Sequence, residues 1–402
     1  MTRMQVRLGN ISAKKWDRGM KTRAAARHAG RGVAACLAAL ATLMLAKTDV
    51  MAGEWQEQQH PDIPDRQEIL EDVVALTPSD VWAVRNHWGF IGSFLDRRTH
   101  VLHWDGALWS KVQSVDVAGS ATNQLQSVAA RSATEVWAAG WFQQGSGVET
   151  TGTLIERWNG TAWAIVPSPN PGPAGNSLEA VTVVGQTEAW AVGSMYNPTV
   201  VSLPLAMRWD GSAWTAVDVP VPSFCTERTY LTEVAARRPR RVLVTGYCKT
   251  AAGDQGFILR WNGKKWRVVA GPDQIPTQAL LQGITFVSNA EAWAVGSSAS
   301  QTPLILHWDG TTWSTAAPPA DAGPEASLLS IAVSRTKVWA VGLGQSSQPP
   351  FAGRLTARWD GAQWIRVPAG NFGSLNGVSV VGNQTWAVGQ NIDHSLIVWR
   401  RN

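Results

Sequence analysis

The run Trp-Ala-Val-Gly, or a near copy of it, begins at Trp82, Trp137, Trp190, Trp293, Trp339 and Trp386. Between Trp190 and Trp293 the segment "VLVTG" keeps the phase, with Leu243 where the tryptophan would stand. The seven positions are separated by 55, 53, 53, 50, 46 and 47 residues. A period of that size denotes a supersecondary unit that buries its apolar face only by stacking on neighbours. Eleven or twelve residues earlier each unit carries Leu-x-x-Val or Leu-x-x-Ile, at Leu70, Leu125, Leu178, Leu231, Leu281, Leu328 and Leu375. Six units continue into a paired-tryptophan segment around Asp-Gly or Asn-Gly: "HWDGALW" from His103, "RWNGTAW" from Arg157, "RWDGSAW" from Arg208, "RWNGKKW" from Arg260, "HWDGTTW" from His307 and "RWDGAQW" from Arg358.

Each unit offers four short β-type runs and no helical periodicity, so the expected class is all-β. Asp-Gly and Asn-Gly favour two-residue type I′ hairpin loops. A loop of Asp210 and Gly211 would set Trp209 opposite Ser212 and leave Trp209 and Trp214 as a diagonal cross-strand pair on one face. Arg208, His103 and His307 then point to the other face, in structural roles. Seven such sheets around an axis make a seven-bladed β-propeller with four antiparallel strands per blade. The last unit stops at "LIVWRRN", one strand short, and "GEWQEQQHP" holds the missing piece, since Trp55 stands before a short run and a proline as Trp163 does in "AWAIVPSP". The N-terminal strand of the mature chain is therefore expected to close the ring in blade seven.

Residues 1–52 hold ten of the 35 Lys and Arg and two of the 30 Asp and Glu, with the apolar run "GVAACLAALATLMLA" after Arg31. This reads as a Sec-type signal peptide cleaved after Ala52, with Met1 or Met20 as its start; the run is short for a membrane span. The expected domains are 1–52, leader, and 53–402, propeller, in a secreted or periplasmic protein with no stable membrane span after cleavage. The mature part carries 25 basic against 28 acidic residues, which removes the support that the overall pI of about 9.3 lends to a nucleic-acid partner. Cys225 and Cys248 are the two cysteines left, and an exported chain is expected to bridge them. They belong to loops on one face, at neighbouring strand ends.

The pattern Leu-x-x-Val, Trp-Ala-Val-Gly, Arg-Trp-Asp-Gly-x-x-Trp resembles secreted bacterial propellers grouped with kelch-type and galactose-oxidase-like domains, and covers residues 53–402. The hairpin also resembles a shortened Asp-box of sialidase-like propellers, and the "WAV" elements are similar to those of tectonin-type lectins. The activities these likenesses imply do not transfer residue by residue. A galactose-oxidase copper site needs two tyrosines, two histidines and a crosslinked cysteine, while this chain has only Tyr196, Tyr230 and Tyr247, and His103 and His307 are repeat positions. The kelch double glycine is missing, and neither a metal-ligand spacing nor a cofactor motif is present.

Long connections are expected on one face, where strand two meets strand three and strand four meets the next blade. Asn86 to His100 and Trp141 to Gly152 are read as its richest loops. Trp88, Phe90, Arg97, Arg98, Trp141 and Phe142 are the ligand-binding candidates there, with Tyr196 and Phe351 in other loops; the alternative is a satellite core at the rim. The basic run Arg237 to Arg241 is read as a solvated turn on the opposite face. The expected function is a monomeric, non-enzymatic exported binder of carbohydrate or protein. The alternatives are a funnel-site enzyme acting on glycans (hydrolase, lyase or oxidase) and an envelope scaffold. A funnel cluster of carboxylates or arginines favours the enzyme, and a flat aromatic surface favours binding.

Overall fold

The computed structural model describes residues 54–61, 67–91, 94–145, 151–198, 202–345, 352–370, 373–391 and 395–401; the expected leader and Phe351 lie outside them. The described residues form twenty-eight strands and no helix. The innermost strands of blades one to seven are Gln67–Thr77, Thr122–Ser132, Asn176–Val184, Thr229–Arg238, Leu280–Ser288, Ser327–Ser334 and Ser374–Val381. Three further strands follow outward in each blade, every neighbour antiparallel. A single parallel bridge, Arg97 to Thr122, links blades one and two into one sheet. The fold is a seven-bladed β-propeller. Its outer strand in blade seven is Trp55–Glu57, which pairs with Ser395–Arg401 in the register Trp55↔Arg400, Gln56↔Trp399 and Glu57↔Val398.

Both repeat signatures have a local cause. In all seven blades the register of the inner pair shifts just after the motif leucine, for example between Leu178 and Ala180. The shift is a β-bulge, which bends the strand and leaves the extra residue out of the ladder. The bulge drives the preceding carbonyl onto the facing residue, so a Cβ on Gly193 would lie 2.2 Å from the Ser177 oxygen. Five other blades have glycine at that position for the same reason; blade one has Arg85.

The paired-tryptophan hairpins correct the expected two-residue loop. Trp209 faces Trp214 directly, so the loop is the four residues Asp210 to Ala213. The Asp210 carboxylate accepts the amides of Ser212 (2.8 Å) and Ala213 (3.0 Å), and Asn159 and Asn262 do the same in their blades. One side-chain oxygen suffices, which is why Asp and Asn interchange here. Gly211 follows at φ 106°, a conformation open to glycine.

The tryptophans join one blade to the next. Trp190 of blade three lies 5.3 Å from both Trp261 and Trp266 of blade four, and Trp137 meets Trp209 and Trp214 of blade three likewise. Burying one such ring, at roughly 200 Å², contributes about 5 kcal/mol of gross transfer free energy. The Trp190 indole donates to Glu188 (2.7 Å), which also pairs with Arg208 (2.8 Å). His103 and His307 stack on Trp82 and Trp293 at 4.1 Å and reach Asp80 and Glu291, the structural roles expected of them.

The stretch expected as a loop in blade one is strand for most of its length, and the one in blade two is strand at its two ends. In blade one Asp80–Ile91 and Phe94–Trp104 pair down to Ile91↔Phe94, leaving two residues between them. In blade two the second strand runs on to Gln143 and the third starts at Thr151.

Candidate functional site

The bulged residues of the seven innermost strands are Glu71, Gln126, Glu179, Thr232, Gln282, Leu329 and Asn376, polar in every blade but the sixth. Toward the tight-turn face the axis widens into a cavity of about 390 Å³ lined by all seven inner strands, including Asp72 and Glu233. These carboxyls keep partial exposure to the channel, yet lie deep among protein atoms. Burial pushes Glu71 up to about 7, against the Asn86 amide and with the charges of Glu179 and Asp72. Burial likewise takes Asp72 to about 6 and Glu233 to about 8, the latter aided by the Asp72 charge, and raises Glu179.

Most of these groups are engaged in holding blades together. Asp72 accepts Ser127 Oγ (3.0 Å) and the Val128 amide (2.9 Å) of the next blade. Ser127 and Ser330 accept the next blade's Val181 and Val378 amides in the same way. Asn86 donates to Glu71 (3.2 Å) and Gln126 to Glu179 (3.3 Å). Among the described residues Glu233 accepts the amide of its neighbour Val234 (2.8 Å).

A second concavity, of about 540 Å³, lies on the long-loop face across blades four to six. Lys249, Asp254, Gln278, Ser298, Gln301 and Glu325 line it. Four non-glycine residues have positive φ among the described ones, and three of them are here: Gln278 at 60°, Gln301 at 53° and Glu325 at 53°. Left-handed backbone costs an L-residue about 1–2 kcal/mol, and such strain gathers at ligand sites. Gln278 donates to the Ala252 carbonyl (3.0 Å) and the Gln301 carbonyl accepts the Ala326 amide (2.7 Å), which fixes the rim. Nothing in the repeat pattern marks this groove, because its residues fall in connections that differ from blade to blade.

The sequence candidates lie elsewhere on the same face. Trp88 stands opposite Arg97 and Phe90 opposite Leu95 in the blade-one hairpin. Arg97 bridges to Thr122, which faces Gln143, so the hairpin tip and the Trp141 strand belong to one continuous sheet. Arg98 pairs with Asp116 at 3.6 Å. Trp141 is half-buried, while Phe142 packs against the core shared by blades one and two. Tyr196 is half-buried in blade three, apart from this group, and its amide donates to Gly175 (2.8 Å). Arg85, outside the set of sequence candidates, is fully buried; it pairs with Glu68 (2.8 Å) and donates to the Pro61 carbonyl, and Ser395 of blade seven donates to the same Glu68. Its signal is "VWAVR", the one tryptophan-bearing repeat without the glycine. His87 and His100 stack beside it at 4.4 Å, and burial holds His100 down to about 3.

Cys225 and Cys248 are bonded, with Cα atoms 5.6 Å apart. Among the described residues no group of three or more His, Cys, Asp or Glu is arranged to hold a metal ion. No protein-family model matches the chain. No curated protein sequence matches it either. Among solved structures, the GH74 xyloglucanase from Xanthomonas campestris is similar, with a TM-score of 0.56 and 13% identity over 87% of this chain. The match spans 54% of that enzyme's length. At that identity the likeness bears on the fold alone, and it agrees with the propeller built above from the strands.

Proposed function

We propose that the protein is an exported glycan-binding propeller that holds its ligand on the long-loop face, in the groove across blades four to six. The observation that carries this reading is the convergence of Gln278, Gln301 and Glu325, all left-handed, on one polar concavity. Amides, carboxylates and the Lys249 ammonium supply the planar donors and acceptors that a polyhydroxylated ligand requires. The similar structure is a xyloglucanase, so a glycan ligand has precedent on this architecture. The disulfide supports export to an oxidising compartment. Trp88 and Trp141, with Phe90, Arg97 and Arg98, extend the contact face over blades one and two for a longer glycan or a protein ligand.

A glycan array probed with the purified chain tests the reading. Asp254→Ala and Lys249→Ala should each weaken binding to the hits by about tenfold, the effect of losing one charge-assisted hydrogen bond. If no glycan binds, the reading fails. If affinity survives both substitutions and falls in Trp141→Ala, the site belongs to blades one and two.

The second reading is an enzyme in the funnel, favoured by Glu233, whose carboxyl is held protonated near neutral pH as a general acid must be. Against it stands the engagement of Asp72, Glu71 and Glu179 by donors in the protein, which leaves Glu233 without a free ionised partner. Release of reducing sugar from an array hit, abolished by Glu233→Gln, would establish the enzyme in place of the binder.

A further inference from the structure

Blade four breaks the interblade pattern on the tight-turn side, and the break leaves a slot. At other interfaces a tryptophan of one blade fills the space against the tryptophan pair of the next; between blades four and five Leu243 stands there instead. The space left is a cavity of about 190 Å³ lined by Arg241, Leu243, Arg260, Phe286, Trp308 and Trp313. That volume is of the size that takes up a single aromatic ring, and here the slot opens to solvent beside the two arginines. The Trp308–Trp313 pair has relaxed around the vacancy: its rings are 6.5 Å apart at 29°, whereas Trp209–Trp214 are 5.9 Å apart at 50°.

The charges are reversed as well. In blades one, two, three and five an acidic residue two positions before the tryptophan, such as Glu188, faces the arginine or histidine of the third strand. In blade four that residue is Arg241, and the facing third-strand residue is Arg260, whose guanidinium lies 6.0 Å above the Trp308 ring. Among the described residues neither is ion-paired. Burial first, then repulsion from Arg260, Arg238 and Arg237, pulls Arg241 below the usual arginine range. Blade six has Lys337 at the acidic position too but keeps Trp339 buried in place, so among the described residues blade four alone combines two arginines outside any ion pair, Arg241 donating to the Asn289 carbonyl, with an open slot of this size.

We propose that this slot binds a small aromatic carboxylate, its ring stacked against Trp308 and Trp313 where a tryptophan is missing and its carboxylate held by Arg241 and Arg260. The ligand supplies the two groups, aromatic ring and carboxylate, that the Glu188–Trp190 pair supplies at the preceding interface. The site lies on the face opposite the glycan groove and does not rest on that reading.

Calorimetric titration of the purified full chain with indole-3-acetate, neutral indole and acetate tests it. Indole-3-acetate should bind at one site about tenfold more tightly than indole, the difference a charge-assisted contact makes. Arg260→Gln should remove most of that difference, bringing the indole-3-acetate affinity close to that of indole in the same variant. Leu243→Trp should abolish both by filling the slot; if its melting curve shows that it does not fold, Leu243→Phe serves in its place. The proposal is overturned if indole-3-acetate gives no saturable heat, if the filled variant binds as well as the parent, or if indole and indole-3-acetate bind equally. It is also overturned if a blocked Glu-Val-Trp-Ala peptide binds much more tightly than indole-3-acetate, which would make the occupant a protein chain.

Discussion

Removing the closing strand should cost more stability than its three paired residues suggest. Trp55 packs edge-on against Trp339 at 5.4 Å but is half-buried, unlike its counterparts Trp109, Trp163 and Trp214, which are 3–4% exposed. Truncation of a fully buried tryptophan costs about 3–5 kcal/mol, so the half-buried ring at Trp55→Ala should cost about 2–3. With about 2.1 cal/mol/K of unfolding entropy per residue over the roughly 350 residues of the propeller, that is a fall in Tm of about 3–4 °C. Deleting residues 54–60 removes more: the ladder to Ser395–Arg401, the Gln58 amide bond to Ile397 (2.8 Å), and Glu57, which pairs with the buried Arg354. An opened blade also presents unpaired strand groups to water and to other chains. The deletion should lower Tm by at least twice the Trp55→Ala shift and speed amide exchange at Ile397 and Trp399, whose backbone groups face the closing strand. Scanning calorimetry and hydrogen exchange measure the two effects. A truncated chain that melts with the parent and keeps those amides protected would refute the closure energetics.

Replacing both Cys225 and Cys248 by serine should destabilise the fold by about 3 kcal/mol for a closed loop of 23 residues, seen as a lower urea midpoint in the variant than in the oxidised parent. The channel carboxyls set a pH dependence. Their folded pKa values lie above the unfolded ones, so the stability they allow is full below about pH 4 and declines as pH rises through about 6, 7 and 8 for Asp72, Glu71 and Glu233. Glu233→Gln should therefore raise Tm at pH 8.5 and leave it nearly unchanged at pH 4; an equal gain at both values would show that the charge is not the cause. In the hairpins Asp210→Asn should preserve Tm, since Asn159 and Asn262 make the same turn, whereas Asp210→Ala should lower it. Equal melting of the two variants would mean that the side-chain oxygen does not hold the loop.

Period, blade number and ring closure were legible because each blade repeats the same physical solution, and a seventh strand set lacking its outer member points to the other end of the chain. Trp55 and Trp399 follow from that repeat, whereas the cysteine pair follows from the expected export and from two loops on one face. Hairpin geometry was misread because the Asp-Gly rule for two-residue loops assumes that the backbone alone closes the turn, while here Asp210 closes it through its side chain. The bulge was visible only as the x in Leu-x-x-Val: the apolar marks were read and the polar residue between them was not, although that residue is the bulged one. The groove of blades four to six has no signature at all. Gln278, Gln301 and Glu325 are ordinary residue types whose backbone angles, not identities, distinguish them.

Blade four concentrates the departures from the pattern, and they sit at opposite ends of one sheet. On the tight-turn side it loses the tryptophan and the acidic partner; on the long-loop side it gains the disulfide, and the Thr226 amide donates to Lys249 (2.9 Å) to fasten the entering loop. A fully buried tryptophan loses about 3–5 kcal/mol on truncation, so leucine in its place forfeits part of that, an amount of the order of the roughly 3 kcal/mol that the bridge contributes. The two terms are comparable, which lets this blade give up an interblade tryptophan without opening the ring. A repeat that is consistent elsewhere and breaks locally with such an offset is the pattern expected where a site has been carved into a scaffold. The slot and the bridge are in this sense one feature: the cross-link at one end makes the vacancy at the other tolerable.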